Sequence, residues 1–138
     1  MMSEQQLLQQ IRGLCGKPSG RILIPAGDDG ALIRPPAGED LVASTDALVE
    51  GQDFRRGWGR PEDIGWKACA AALSDLAAMG ASPLASFLTL VIPPRWCGRQ
   101  ALKLVRGFSA CGKRHHAPLA GGDLSAGGGN LVLDAVVL

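Results

Sequence analysis

Four short stretches of this 138-residue chain place carboxylates where they could hold a hard cation. Asp28 and Asp29 stand between glycines in Gly27-Asp28-Asp29-Gly30. Asp46 follows Ser44 and Thr45. Asp75 lies in Leu73-Ser74-Asp75-Leu76, within an Ala- and Leu-rich segment. Asp123 follows Gly121-Gly122. Nine of the thirteen acidic residues are aspartates, and those named here each adjoin an apolar run, so the fold must fix them. Aspartates with hydroxyls and small neighbours suit Mg²⁺, an octahedral ion that takes a few carboxylates, keeps several waters and leaves positions open for substrate phosphates. A turn aspartate also has a local reason to exist, because its side chain hydrogen-bonds its own turn. The set points to metal more strongly than any member does.

Asp75 is the least comfortable of them. Ala68, Ala71, Ala72, Asp75, Ala78 and Met79 share one helical face by the three- and four-residue rule. A carboxylate packed on such a face needs a cation, a charged partner or water. Negative charge near a helix C-terminus is also disfavoured by the helix dipole. The bland alternative is that this face is solvated. The familiar phosphate signatures are missing: there is no GxxxxGK[ST] and no GxGxxG after a strand. Gly127-Gly128-Gly129 reads as a hairpin tip rather than a phosphate cradle.

The elements that must position these residues follow from hydrophobic spacing. Leu7, Leu8, Ile11 and Leu14 predict a helix over Ser3–Leu14, with Ser3 as its N-cap. Arg21–Pro25, Ala31–Arg34 and Asp40–Asp46 read as short strands, the last ending at Asp46. A polar loop, Gly51–Arg60, precedes a long helix that Pro61 opens and Gly80 closes. Ser86–Ile92 reads as a buried strand, Trp96–Arg114 as a helix, Ala117–Ala120 as a short strand running into a Gly-Gly turn, and Asn130–Leu138 as a final strand. Helices and strands alternate without a steady βα repeat. That predicts an α+β fold, a mixed β-sheet with helices packed on one face.

Composition narrows the function classes. One domain of 138 residues is expected. The formal net charge of +1 gives no electrostatic case for a nucleic-acid partner. Arg55, Arg56 and Arg60 form the one basic cluster, read as a solvated loop or as help in holding an anionic substrate. Cys15, Cys69, Cys97 and Cys111 show no CxxC spacing and read as reduced, mostly buried thiols of a cytoplasmic protein. No run of about 18 apolar residues exists, so no membrane span is expected.

The motifs Gly27–Leu32, Ser44–Gly51, Leu73–Pro83 and Gly121–Asp123 resemble, in order and spacing, the N-terminal domain of thiamine-monophosphate kinases, members of the aminoimidazole ribonucleotide synthetase-like superfamily. The resemblance covers the chain from about Leu23 to its last residue. It implies a 1–138 single N-terminal ATP- and Mg²⁺-binding domain, with the family's C-terminal domain absent and catalysis by the fragment alone not expected. It implies transfer of the γ-phosphate of ATP to thiamine monophosphate through a cluster of Mg²⁺ ions. Carried over by position, Asp29, Ser44, Thr45, Asp46, Asp75 and Asp123 are metal ligands, Thr45 through its carbonyl, and Gly122 and Asp123 also meet the nucleotide. The family's His-Phe substrate contact falls on Asp53-Phe54 here, which makes Asp53 the substrate-binding position and a departure from the pattern. A homodimer through the N-terminal sheets is implied as well. Two alternatives stand beside the kinase: another ATP-dependent enzyme of the superfamily, and a non-catalytic dimerisation or nucleotide-binding module.

Overall fold

A computed structural model describes residues 4–15, 17, 18 and 20–138. Ser3, the expected N-cap, lies outside the described residues. The chain runs α1 (Glu4–Leu14), β1 (Ile22–Ile24), β2 (Leu32–Ile33), β3 (Ser44–Val49), α2 (Pro61–Ala78), β4 (Ser86–Ile92), a 3-10 turn (Pro94–Trp96), α3 (Arg99–Arg114), β5 (Leu119–Ala126) and β6 (Val132–Val137). β1 and β2 pair as a small antiparallel unit. The other four form one mixed sheet in the order β3-β6-β4-β5, parallel between β4 and β5 and antiparallel elsewhere. The expected α+β architecture is thus present.

One face of the sheet carries the core. Leu48, Leu88, Leu90, Ile92, Leu133, Ala135 and Val137 are buried there with Leu73 and Leu76 of α2 and Leu104, Val105 and Phe108 of α3. The two long helices cross at a point of backbone contact. A Cβ on Gly65 of α2 would lie 1.9 Å from the Leu104 carbonyl oxygen, and one on Gly107 of α3 would lie 1.9 Å from that of Glu62. The low aromatic content of the sequence fits this core, because small residues admit close helices.

Several boundaries differ from expectation. β3 begins at Ser44, so Asp46 lies inside a strand rather than at its end. β5 continues through Gly121-Gly122-Asp123, which is strand and not turn. Gly127–Gly129 is no hairpin tip, because β5 and β6 are separated by β4. The predicted helix from Trp96 begins only at Arg99, after the 3-10 turn. Of the four thiols, Cys69 and Cys111 are buried, but Cys15 is half-buried and Cys97 exposed. The end of α2 follows the sequence closely. Gly80 takes a left-handed φ of +68°, the Gly80 N–H returns to Ala77 O at 3.1 Å, and the Ala81 N–H reaches Leu76 O at 2.9 Å.

Candidate functional site

The first acidic group forms where β3 meets α2. Ser44 Oγ donates to Asp75 Oδ2 at 2.7 Å, joining residues 31 positions apart. Side chains alternate across a strand, so Asp46 shares Ser44's face, the face that carries α2 and α3. Ala68 and Ala72 are fully buried under α2, but Asp75, a turn beyond Ala72, emerges into solvent beside the first residue of β3. Of the two readings of this residue, a packed carboxylate and a solvated one, the structure shows the second: Asp75 is exposed, and one hydroxyl donor offsets part of the unfavourable helix-end charge. A serine that gives its proton to Asp75 keeps its oxygen lone pairs free for another acid.

Thr45 points the other way. Its Oγ1 donates to Asp134 Oδ1 at 2.8 Å on the opposite face of the sheet. The Glu50 N–H bonds Leu131 O at 2.9 Å. Counting back by two along an antiparallel pair, Leu48, Asp46 and Ser44 turn their backbone groups to β6, while Thr45, Ala47 and Val49 turn theirs to the free edge. A role for Thr45 through its carbonyl is consistent with that direction.

The second acidic group sits at the other edge. Asp123 pairs with Thr89 of β4, which pairs with Asp134 of β6, so these three share the face away from the helices. Ser125 Oγ donates to Asp123 Oδ2 at 3.2 Å. Beside them the Asp28-Asp29 loop borders an open cleft of about 650 Å³ with Gly122, Asp123 and the α1 residues Ile11 and Arg12. Asp28 Oδ1 accepts the Asp29 N–H at 3.0 Å, the local turn bond that explains an aspartate there. Gly122 is required on two counts: its φ is +150°, and a Cβ would fall 1.9 Å from Leu88 O. The β5 backbone is thereby held tight against β4 immediately before Asp123.

The two groups do not meet within one copy. β3 and β5 are the outer strands of four, three spacings or about 14 Å apart. Asp46 and Asp123 also face opposite ways. Among the described residues no three carboxylate, histidine or cysteine side chains gather as a ready metal cage.

Asp53 is bound into its own turn. Its Oδ2 accepts the Val49 N–H at 2.8 Å, and Lys67 Nζ donates to its carbonyl oxygen. The neighbouring Glu50 is buried, and sequence reading missed it. Its Oε2 accepts from Arg95 Nη2 at 2.7 Å, Trp96 Nε1 at 3.0 Å and Leu131 N at 3.1 Å. Burial opposes ionisation of Glu50, but the bonds from Leu131, Arg95 and Trp96 outweigh it and hold the carboxyl below the usual range. Asp134 was missed too; its place inside an apolar strand, LVLDAVVL, was the available signal.

Comparison with known proteins places these features in a wider set. The family model described as AIR synthase related protein, N-terminal domain, matches residues 27–138. The thiamine-monophosphate kinase of Synechococcus elongatus is 43% identical over 124 residues, covering 90% of this chain and 36% of the relative. That of Bacillus subtilis is 34% identical over 112 residues, covering 81% of this chain and 34% of the relative. The crystal structure of thiamine-monophosphate kinase from Stenotrophomonas maltophilia superposes with a TM-score of 0.75 at 37% identity, over 99% of this chain and 42% of that one. The chain therefore spans about a third of the length of these two curated relatives.

Proposed function

The chain belongs to the AIR synthase related protein, N-terminal domain family, and from that premise we propose that it is the ATP- and Mg²⁺-binding half of a thiamine-monophosphate kinase. The observation that carries the reading is the 2.7 Å bond between Ser44 and Asp75, which brings two separate acidic motifs into one oxygen-rich corner beside Asp46. Hydroxyl and carboxylate oxygens, open to water and free of sulfur or imidazole, match the donor preference of Mg²⁺. Ser44, Asp46, Asp75 and the Thr45 carbonyl would hold metal at this edge, and Asp29 and Asp123 at the other. Bound there, Mg²⁺ supplies the positive charge that lets two phosphate-bearing substrates approach. The chain's own residues position and neutralise: Ser44 orients Asp75, and Gly122 lets the β5 backbone lie tight against β4 and so fixes Asp123.

A homodimer completes the proposal. Among the described residues β3 and β5 are the outer strands, with Thr45 and Ala47 turning backbone groups to the β3 edge, and the face away from the helices carries half-buried Val49, Val132, Val136, Phe87 and Val91. Setting β3 of one copy alongside the partner copy's β5 would close the sheets and place the edge that carries Asp46 next to the edge that carries the partner's Asp123. ATP is the co-substrate and thiamine monophosphate the acceptor, in the cytoplasm.

One observation favours a second reading, another ATP-dependent enzyme of the superfamily. Asp53 stands at the acceptor position with one oxygen committed to Val49, and its charge would repel a phosphate. The deciding experiment supplies ATP, Mg²⁺ and thiamine monophosphate to the protein that carries this chain and follows thiamine diphosphate. Production above the uncatalysed rate is expected. None formed, with ATP consumed on a different acceptor, gives the second reading.

A further inference from the structure

A groove of about 1160 Å³ lies on the side of α1 away from the acidic cleft. Gln6, Gln9 and Gln10 of α1 form one wall, and Arg99, Lys103 and Arg106 of α3 the other. The spacings, three and four residues on α1 and four and three on α3, put each set on a single helical face. It shares no lining residue with the cleft that holds Asp28, Asp29 and Asp123.

Among the described residues the cations of this groove form no ion pair, although Arg106 also borders a pocket with Glu62 and Asp63. Among the described residues no carboxylate lines it, and the ion pairs use Arg60 and Arg95, not Arg99, Lys103 or Arg106. Three like charges on successive turns of one helix repel one another. The first turn of α3 has no acidic residue, and its N-cap, Gly98, offers no side-chain acceptor to the free N–H groups. A cation in the first turn stands against the helix dipole. Each of these placements is unfavourable alone, and each is relieved by an anion in the groove.

We propose that the α1–α3 groove binds a small polyphosphate anion, as free polyphosphate or as the phosphate chain of a nucleotide, independently of divalent metal. Arg99 and Arg106 are seven residues apart, about 10 Å along the helix axis. That reach exceeds a single phosphate and fits a chain of two or three. The Gln9 and Gln10 amides opposite carry neutral N–H donors for the remaining oxygens. Nucleic acid fits less well, because the molecule's net charge is only +1 and a patch of three cations neutralises few phosphates. The proposal stands apart from the kinase reading, whose site needs Mg²⁺ and uses other residues.

The test is titration calorimetry of this chain with tripolyphosphate and with ATP, both in excess EDTA. One-to-one binding is expected, weakening as salt rises. The double variant Arg99→Gln, Lys103→Gln alters two exposed side chains and should keep the circular dichroism and Tm of the parent while losing about 10- to 100-fold in affinity. Equal affinities for the two ligands assign the groove to the phosphate chain; at least about tenfold tighter ATP binding assigns it to a nucleotide. Absence of binding in EDTA, binding that appears only with Mg²⁺, or unchanged affinity in a folded double variant overturns the proposal.

Discussion

Ser44 and Asp75 show how one hydrogen bond can define a corner of a site. Asp75 is exposed, so Asp75→Asn removes a charge without leaving a buried hole. The expected result is a fall of about 10- to 100-fold in Mg²⁺-dependent ATP affinity with little change in Tm. An unchanged affinity would remove Asp75 from the ligand set. Glu50 answers a different question, because its role is structural. Its folded pKa lies below the ordinary value, so the stability it lends is complete above the unfolded carboxyl's pKa and is lost as pH falls through the folded one. Glu50→Gln should cost about 1–3 kcal/mol at neutral pH, read from denaturant unfolding. The gap from the parent should narrow as pH falls below about 4. A constant gap across that range would mean that the charge contributes nothing.

α2 and α3 depend on their crossing more than on their helix propensity. In an isolated helix, glycine to alanine stabilises by about 1 kcal/mol. At Gly65 the added methyl would meet the Leu104 carbonyl at 1.9 Å, and at Gly107 that of Glu62 at the same distance. Steric conflict with backbone exceeds the propensity gain, so Gly65→Ala should destabilise by about 2–3 kcal/mol and lower Tm by several degrees. A rise in Tm would show that the helices can separate freely. The same helices carry the site only indirectly: α2 delivers Asp75, and the strands under it deliver Ser44 and Asp46.

Taken whole, one copy holds two acidic groups on opposite edges and opposite faces of its sheet. The proposed homodimer can be tested on the open face. Val136 lies at the middle of that face, paired with Thr45 and Phe87. Val136→Lys should leave the fold intact and shift sedimentation from dimer to monomer. Mg²⁺-dependent ATP binding should weaken with it. Dimerisation or nucleotide binding that is indifferent to this charge would separate the two halves of the proposal.

The sequence by itself determined most of the elements, and it carried the expectation of a chemistry for the acidic residues they present. Four acidic motifs with hydroxyl and glycine neighbours carried the expectation of hard-cation chemistry, and the Pro61-to-Gly80 helix and the apolar strand Ser86–Ile92 were legible because their signals are local. Only the tertiary structure decided which motif meets which. Sheet order is a matter of long-range pairing, and nothing near Gly127 says that β4 separates β5 from β6. Side-chain alternation then set Asp46 and Asp123 on opposite faces once β3 began at Ser44 and β5 ran through Asp123. Glu50 escaped notice for the same reason: its partners Arg95, Trp96 and Leu131 are distant in the chain, and their convergence exists only after folding.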